Sequence, residues 1–242
     1  ISECLVGSEM CIRDRVDTGY GIEDVADFMR HMTDLPLTVF LTHNHHDHAM
    51  GARCFPETYM LEADMADWRM FTNDEMRRRV LTQAIGKNLT VDEKTFLAGE
   101  IPLPKVMKPG VIDLGGLTAE IIEAPGHTPG SAVVYVPERK LLLSGDDWNP
   151  CTWLFFPQAL GLREYRSNMR GIQQLPFEKV LCPHREALYD RWMFDDFFNA
   201  LTDGNLRAAE PVNIAPYEQI DTCQATLPHD QVLVFDWAKS GL

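Results

Sequence analysis

Four potential metal ligands lie within the short segment Thr42–His48, which reads T-H-N-H-H-D-H. They are His43, His45, Asp47 and His48. Imidazole and carboxylate groups are suitable ligands for zinc and related first-row metals. Alternation around a tight loop would let His43 and His45 face one ion while Asp47 and His48 face another. Histidines also cap helices or decorate loops, but packing gives no reason for such a density.

Three later segments each offer one further ligand. The segment P-G-H-T-P-G-S contains His127, L-S-G-D-D contains Asp146, and L-C-P-H-R contains His184. His127 would join the first pair of histidines, His184 would join Asp47 and His48, and Asp146 could bridge both ions through its two oxygens. Taken alone, each is explained equally well as a core histidine or a turn cap. Their order and combination predict a dinuclear metal site.

The ligands follow segments that are typical of buried strands. Leu37–Thr42 is a short β-branched and apolar run, and apolar residues recur at helical spacing over Ile22–Met32 before it. A helical insertion is predicted at about residues 63–100. Further strands are predicted at Val111–Leu114, Leu117–Glu123, Ser131–Val136, Lys140–Leu143, Lys179–Cys182, Ile214–Ile220 and Gln231–Phe235, with helices at Arg163–Gln174 and Tyr189–Leu201.

Helices towards both ends and strands between them favour an α/β (α+β) fold, arranged as a four-layer αβ/βα sandwich. The length of 242 residues is compatible with one domain over the whole chain, 1–242.

Composition narrows the class of partner. The formal net charge of −14 repels phosphate backbones, so we expect a small-molecule substrate and no nucleic acid. No apolar stretch is long enough for a membrane span and no signal peptide is visible, which favours a cytoplasmic protein without a membrane partner. The chain starts at Ile1, which leaves a truncated N-terminus open. The oligomeric state is not predicted, and the six cysteines form no C-x-x-C pair.

The four motifs together resemble the signature of the metallo-β-lactamase superfamily: T-H-x-H-x-D-H, then G-H-T-P-G-S, then S-G-D, then a late histidine. The segment V-D-T-G-Y-G at Val16–Gly21 is similar to the first strand and turn of that family. The resemblance implies a supporting, structural role for Asp17. It also implies a hydrolase with a bridging aspartate at Asp146, where classical zinc β-lactamases often have cysteine. Flavodiiron proteins usually have glutamate in place of His45.

The predicted function is therefore hydrolysis of a small ester, thioester, lactone or amide, the last including β-lactam-like substrates. Two divalent ions are expected as cofactors, with zinc ahead of iron or manganese, and a metal-bridging hydroxide as nucleophile. Asp47 is the predicted catalytic residue, because its carboxylate could orient that nucleophile and carry its proton. Two alternatives remain open: an iron-dependent oxidoreductase on the same fold, and a protein that binds a metal and a ligand without turnover.

Aromatic residues near the ligands in sequence are candidates for the substrate pocket. Trp68, Phe71 and Trp148 are predicted to line it, and Trp153, Phe155 and Phe156 follow close behind. Core packing is an equally good interpretation of each aromatic. One segment departs from the family pattern: Cys11–Arg15 reads C-I-R-D-R where an apolar strand is usual, which favours an unusual edge strand.

Overall fold

Two compact units, each with its own sheet structure and hydrophobic core, make up the described part of the chain. The computed structural model describes residues 3–5, 13–32, 34 and 37–242. The first unit comprises the described residues up to 108 together with 113–117, and the second comprises 109–112 and 118–242. No helix within these described ranges has both the length and the apolar character needed to cross a membrane.

The first unit is built on a sheet of five strands in the order β1-β2-β3-β4-β5. Strands β2 to β5 run parallel, and β1 pairs antiparallel with β2. Its elements in chain order are β1 (Glu3–Leu5), β2 (Arg13–Val16), α1 (Val25–Met32), β3 (Leu37–Leu41), α2 (His46–Ala49), β4 (Tyr59–Met60), α3 (Trp68–Thr72), α4 (Asp74–Gly86), α5 (Glu93–Phe96) and β5 (Lys105–Val106).

Helices α3 to α5 occupy the region where a helical insertion was predicted, and side-chain caps divide it. The carboxamide of Asn73 accepts a hydrogen bond from the backbone N–H of Met76 at 2.9 Å, so it ends α3 and begins α4. Val80 and Ala84 lie one turn apart on the buried face of α4. The core of the first unit therefore receives one face of this helix, alongside Met60 and Trp68.

The second unit contains two sheets, with strand orders β12-β11-β9-β8-β7-β6 and β10-β15-β14-β13. Its elements in chain order are β6 (Gly110–Asp113), β7 (Thr118–Glu123), β8 (Ala132–Val136), β9 (Leu141–Leu143), β10 (Cys151–Leu154), α6 (Leu162–Ile172), β11 (Lys179–Leu181), β12 (Leu188–Asp190), α7 (Arg191–Ala200), α8 (Asp203–Arg207), β13 (Glu210–Pro211), β14 (Thr222–Leu227) and β15 (Gln231–Asp236). Its core contains fully buried aromatic side chains from α6 and α7, including Tyr165, Phe194 and Phe197.

Most predicted elements are confirmed, with shifts of a few residues at their ends. The strand predicted at Ile214–Ile220 is wrong: this segment forms turns, and the strand lies at β14. Pro216 has no N–H for a ladder hydrogen bond, which explains the error. The helix predicted from Tyr189 begins at Arg191, because Leu188–Asp190 forms β12.

The polar segment near the N-terminus is an inner strand and not the predicted edge strand. Arg13–Val16 forms β2, which lies between β1 and β3. Cys11 and Ile12 lie outside the described residues. Arg15 is 3% exposed, and its Nε donates to the backbone carbonyl of Asp17 at 2.8 Å. A polar side chain is accommodated here because a backbone carbonyl accepts its hydrogen bond.

Gly51 allows the turn after β2 to approach the segment after β3. The backbone N–H of Gly51 donates to the carbonyl of Gly19 at 3.0 Å, and Thr18 N donates to the carbonyl of His48 at 2.8 Å. A Cβ at Gly51 would lie 2.2 Å from the backbone oxygen of Thr18. Neither backbone segment can yield easily, so only glycine fits this position.

We predict that Gly51→Ala lowers the free energy of unfolding by about 3 kcal/mol, because the added methyl group forces the two segments apart. Urea unfolding monitored by circular dichroism measures the change. Gly86→Ala is the matched control: a Cβ there meets nothing within 4 Å at the end of α4. That variant should gain about 0.5–1 kcal/mol. Equal stability of Gly51→Ala and the unmodified protein would contradict the close approach.

Candidate functional site

In the first unit, the carboxylate of Asp17 holds both His48 and the start of the histidine-rich loop. Its Oδ2 accepts a hydrogen bond from Nδ1 of His48 at 2.7 Å. Its Oδ1 accepts from the backbone N–H of Thr42 at 2.7 Å, and the Thr42 hydroxyl donates to Oδ2 at 2.9 Å. A carboxylate only accepts hydrogen bonds, so Nδ1 of His48 carries the proton and Nε2 holds the lone pair. Nε2 is therefore the nitrogen of His48 that could bind a metal.

The same hydroxyl group orients His43. Thr42 Oγ1 lies 3.0 Å from Nδ1 of His43. Because the hydroxyl proton is directed to Asp17, its oxygen accepts from Nδ1–H of His43, which again leaves the lone pair on Nε2. The ring of His43 packs 4.7 Å from the ring of His45 and 4.1 Å from that of His48, measured between centroids. All three histidines are buried, with at most 4% exposure.

Three pairs of predicted ligands lie close together within this unit. Ligand atoms lie within 4.8 Å of one another for His43 with His45, for His43 with His48, and for Asp47 with His48. The Asp47 side chain is 18% exposed, and its Oδ2 lies 3.9 Å from Nε2 of His48. The structure thus brings together all four ligands predicted in Thr42–His48, with Asp47 the most accessible to a reactant.

The sequence analysis did not find Asn44 and Asp64, whose hydrogen bonds hold the loop Thr42–His48 in place. Asp64 is 1% exposed, and its carboxylate accepts the backbone N–H of Asn44 at 3.1 Å. The amide group of Asn44 donates to the backbone carbonyl of Asp64 at 2.9 Å. Only tertiary structure brings these residues together, since they are 20 positions apart and belong to no shared motif.

In the second unit, His127 is oriented from two directions. Its Nδ1 lies 2.6 Å from the backbone carbonyl of Trp153, and its backbone N–H donates to Oδ1 of Asp147 at 3.1 Å. A carbonyl oxygen only accepts, so Nδ1 carries the proton and Nε2 is the nitrogen that could bind a metal, as in His43 and His48. Asp147 is 1% exposed and was not among the predicted site residues.

Asp146 lies between the two histidines of this unit. Its Oδ2 is 3.5 Å from Nε2 of His127, and its Oδ1 is 3.3 Å from Nε2 of His184. The strand register explains this meeting. Parallel strands β9 and β11 pair Leu143 with Leu181, and each ligand follows its strand end by three residues. The carboxyl ends of parallel strands share one edge of a sheet, so equal offsets bring Asp146 and His184 together.

Tyr165 packs closely against Gly126, the residue that precedes His127. A Cβ at Gly126 would lie 2.4 Å from Cδ2 of the Tyr165 ring, so glycine is needed for this approach. The Tyr165 hydroxyl donates to the backbone carbonyl of Asp147. Complete burial raises the pKa of Tyr165 well above its usual value, and the nearby negative charge of Asp147 adds to the effect. The phenol therefore stays protonated and holds the segment that follows Asp146.

A family profile described as the metallo-β-lactamase superfamily matches residues 16–184 of the chain. The chain belongs to the metallo-β-lactamase superfamily. The matched region begins one residue before Asp17 and ends at His184, so it contains every ligand predicted from the sequence. Membership confirms the resemblance drawn from the motifs, and it confirms the predicted mixed α/β sandwich fold.

Similar proteins include one curated relative and several solved structures. The acyl-coenzyme A thioesterase MBLAC2 of Gallus gallus is 27% identical over 192 residues, which cover 70% of this chain and 67% of that protein. The metallo-β-lactamase family protein TTHA1429 from Thermus thermophilus has a TM-score of 0.59 at 17% identity, covering 85% of this chain and 75% of its own. TTHA1623, solved in a di-iron-bound form, has a TM-score of 0.53 at 19% identity, and the match covers 76% of this chain and 86% of its own.

Two of the predicted pocket aromatics are core residues in this superfamily member. Trp68 is 1% exposed in the core of the first unit. Trp148 is 0% exposed and packs against Tyr189 and Phe194 in the second unit. Both rings fill the cores of their units and present almost no exposed surface, so their place in a substrate pocket stays a prediction. Phe71 is also buried, at 6% exposure, and the centroid of its ring lies 4.5 Å from that of the His45 ring.

We predict that Asp17→Asn weakens metal binding by about 10-fold to 100-fold, since an amide replaces the carboxylate that orients His48. Titration of metal-free protein with zinc against a chromophoric chelator measures the affinity. Asp34→Asn changes an exposed aspartate and serves as the control. Unfolding curves for both variants show whether the fold is retained. An unchanged zinc affinity in a folded Asp17→Asn protein would contradict the orienting role.

We predict that Tyr165→Phe reduces the loss of stability at high pH. The folded chain keeps the Tyr165 proton while the unfolded chain releases it above about pH 10, so the free energy of unfolding falls as pH rises beyond that point. Removing the phenol should make this fall shallower by up to about 1.4 kcal/mol per pH unit. Urea unfolding between about pH 9 and 11 measures the slope. The same comparison at pH 8 isolates the lost hydrogen bond, and parallel slopes would contradict the prediction.

Proposed function

We propose that this chain is a hydrolase that uses two divalent metal ions to cleave a thioester or a related small ester, lactone or amide. The proposed ligands are the seven motif residues His43, His45, Asp47, His48, His127, Asp146 and His184. The observation that carries the proposal is the shared orientation of three of them. In His43, His48 and His127, an oxygen atom engages Nδ1 and leaves Nε2 for a metal.

The donor set fits zinc. Neutral imidazoles and carboxylates are ordinary zinc ligands, and the Nδ1 contacts of His43, His48 and His127 favour the tautomer whose Nε2 can bind a metal. We assign His43, His45 and His127 to one ion, Asp47, His48 and His184 to the other, and Asp146 to both. Oδ2 of Asp146 lies 3.5 Å from Nε2 of His127 and 3.4 Å from Nε2 of His184, and Oδ1 lies 3.3 Å from the same His184 nitrogen. Bound divalent ions would supply a nucleophile at neutral pH and polarise the scissile carbonyl.

Asp47 is the proposed proton-handling residue. It is the most accessible carboxylate of the loop, and its position beside Nε2 of His48 suits a group that orients a water and accepts its proton. In thioester hydrolysis, the oxygen of water forms the new bond to the carbonyl carbon and the C–S bond breaks. One proton of the water is transferred to the departing thiolate, which leaves a carboxylic acid and a thiol.

A thioester is the first substrate class to examine. The curated relative is named as an acyl-coenzyme A thioesterase, and it aligns with 70% of this chain. The proposed mechanism also allows esters, lactones and β-lactams, because each presents a carbonyl carbon to the same nucleophile. Iron should be measured beside zinc, since TTHA1623 was solved in a di-iron-bound form.

We predict that protein purified without added metal contains close to two zinc equivalents per chain, and that a chelator abolishes its turnover of an acyl thioester. Asp47→Asn should lower the zinc content and reduce kcat by about 100-fold or more, because a ligand and proton acceptor is lost. Mass spectrometry of metals and a panel of thioester, ester, lactone and β-lactam substrates measure both effects.

Asp34→Asn is the matched control for this experiment and should keep full activity and metal content. Chelator-resistant turnover, or unchanged turnover in Asp47→Asn, would contradict the mechanism. Two irons with oxygen consumption would support an oxidoreductase instead. A protein that binds metal and hydrolyses nothing in the panel would be a binding protein.

A further inference from the structure

The second unit carries a cluster of aromatic side chains on β10 and the segments near it. Trp153, Phe156 and Tyr217 surround Phe155, and we name the first three the aromatic platform. The centroid of the Phe155 ring lies 5.3 Å from that of Trp153, 4.6 Å from that of Phe156 and 5.5 Å from that of Tyr217. Phe155 is 0% exposed, whereas Trp153 is 39% exposed and the other two rings are partly exposed. The platform therefore presents apolar ring surface above a buried aromatic base.

The platform is joined directly to a proposed metal ligand. Trp153 supplies the backbone carbonyl that accepts from Nδ1 of His127 at 2.6 Å. The ring of Phe156 meets the ring of His127 edge-on, with 5.4 Å between centroids. One strand and the residues after it thus set both the orientation of His127 and the apolar surface beside it. A group attached to a carbonyl held at this ligand lies within reach of the platform.

Lys239 holds the loop that carries Phe156. Its ammonium donates to three backbone carbonyls, those of Phe156 at 3.3 Å, Pro157 at 2.6 Å and Ala159 at 3.0 Å. Three acceptors on one cation fix the path of this short loop, and the loop fixes the ring of Phe156. A surface that is already ordered loses little conformational entropy when a ligand binds. The lysine charge is also directed at the loop carbonyls, which leaves the platform itself uncharged.

Chemistry identifies which part of a substrate the platform suits. Contact between exposed aromatic rings and an apolar group is favourable because it removes apolar surface from water. A phosphate-bearing leaving group is instead bound by cationic side chains. We propose that the aromatic platform binds the apolar acyl group of the substrate, and that Trp153 and Phe156 set the preference for acyl chain length. This inference rests on the proposed hydrolase function and names the acyl side of the scissile bond as the part recognised.

The first experiment varies the acyl chain while the leaving group stays constant. N-acetylcysteamine thioesters of acetate, butyrate, hexanoate, octanoate and decanoate are compared by kcat/KM. Full burial of a methylene gives about a fourfold gain, so we expect kcat/KM to rise by up to this factor per methylene until the platform is covered. Trp153→Ala and Phe156→Leu should each lower kcat/KM for the longer chains about 10-fold or more, mainly through KM. In both variants the loss of kcat/KM for the acetyl thioester should be smaller than the loss for the decanoyl thioester, which flattens the chain-length preference.

Trp192→Ala is the matched control for loss of a tryptophan. Trp192 is 50% exposed on α7, and its ring packs against that of His229, with 4.8 Å between centroids. This variant should keep the full chain-length preference. Trp153→Phe retains an aromatic ring and should restore most of it. A chain-length preference that is the same in Trp153→Ala, Phe156→Leu and the unmodified protein would overturn the inference while the hydrolase function stands.

A binding measurement separates the inference from the proposed function. The thioether S-decyl-N-acetylcysteamine has no scissile carbonyl, and calorimetry of its binding needs no turnover. We expect binding to the unmodified protein and to Trp192→Ala, and about 10-fold weaker binding to Trp153→Ala. If no substrate is hydrolysed but this pattern holds, the hydrolase function fails and the apolar site stands. Equal binding by all the variants would overturn the platform.

Discussion

Fixed hydrogen bonds at Nδ1 of buried histidines are the constraint on which the site depends. Asp17, the Thr42 hydroxyl and the Trp153 carbonyl each present an oxygen to one ring. Each contact selects the tautomer and also sets the angle of the ring, so the lone pair of Nε2 has a fixed direction, as the proposed metal site requires. Without these oxygens, the buried imidazoles would be able to rotate or to adopt the other tautomer, and either change would turn Nε2 away from its present role as the free ring nitrogen.

Asp17 presents its carboxylate from a left-handed backbone conformation, which neighbouring hydrogen bonds hold in place. Asp17 has a φ of 60°, a conformation that is uncommon for residues other than glycine. Its N–H donates to the carbonyl of Phe40 and its carbonyl accepts from Arg15, so both sides of the residue are held. His184 also has a positive φ, of 63°, shortly after β11. Such strain is tolerated where neighbouring hydrogen bonds over-determine the backbone.

The superfamily motifs and the proposed acyl-binding platform lie in different parts of the chain. The motif residues follow strand ends, and the fold that positions them is shared with solved structures at identities below 20%. The aromatic platform and Lys239 lie outside those motifs, and Tyr217 and Lys239 follow the matched region, which ends at residue 184. The proposed recognition of the acyl group would thus rest on segments outside the superfamily motifs, and loops commonly vary more than the strands that they connect.

The sequence by itself determined the superfamily, the mixed α/β fold class and the candidate ligands, because dense His and Asp spacing has few structural explanations. It could not show that Asp64, Asp147 and Arg15 support the site, because their hydrogen bonds join residues that no sequence pattern connects. Nor could it separate the core tryptophans Trp68 and Trp148 from the exposed Trp153. Burial and hydrogen-bond partners depend on how elements pack together, so only the tertiary structure decided which aromatics fill a core and which oxygens orient the ligands.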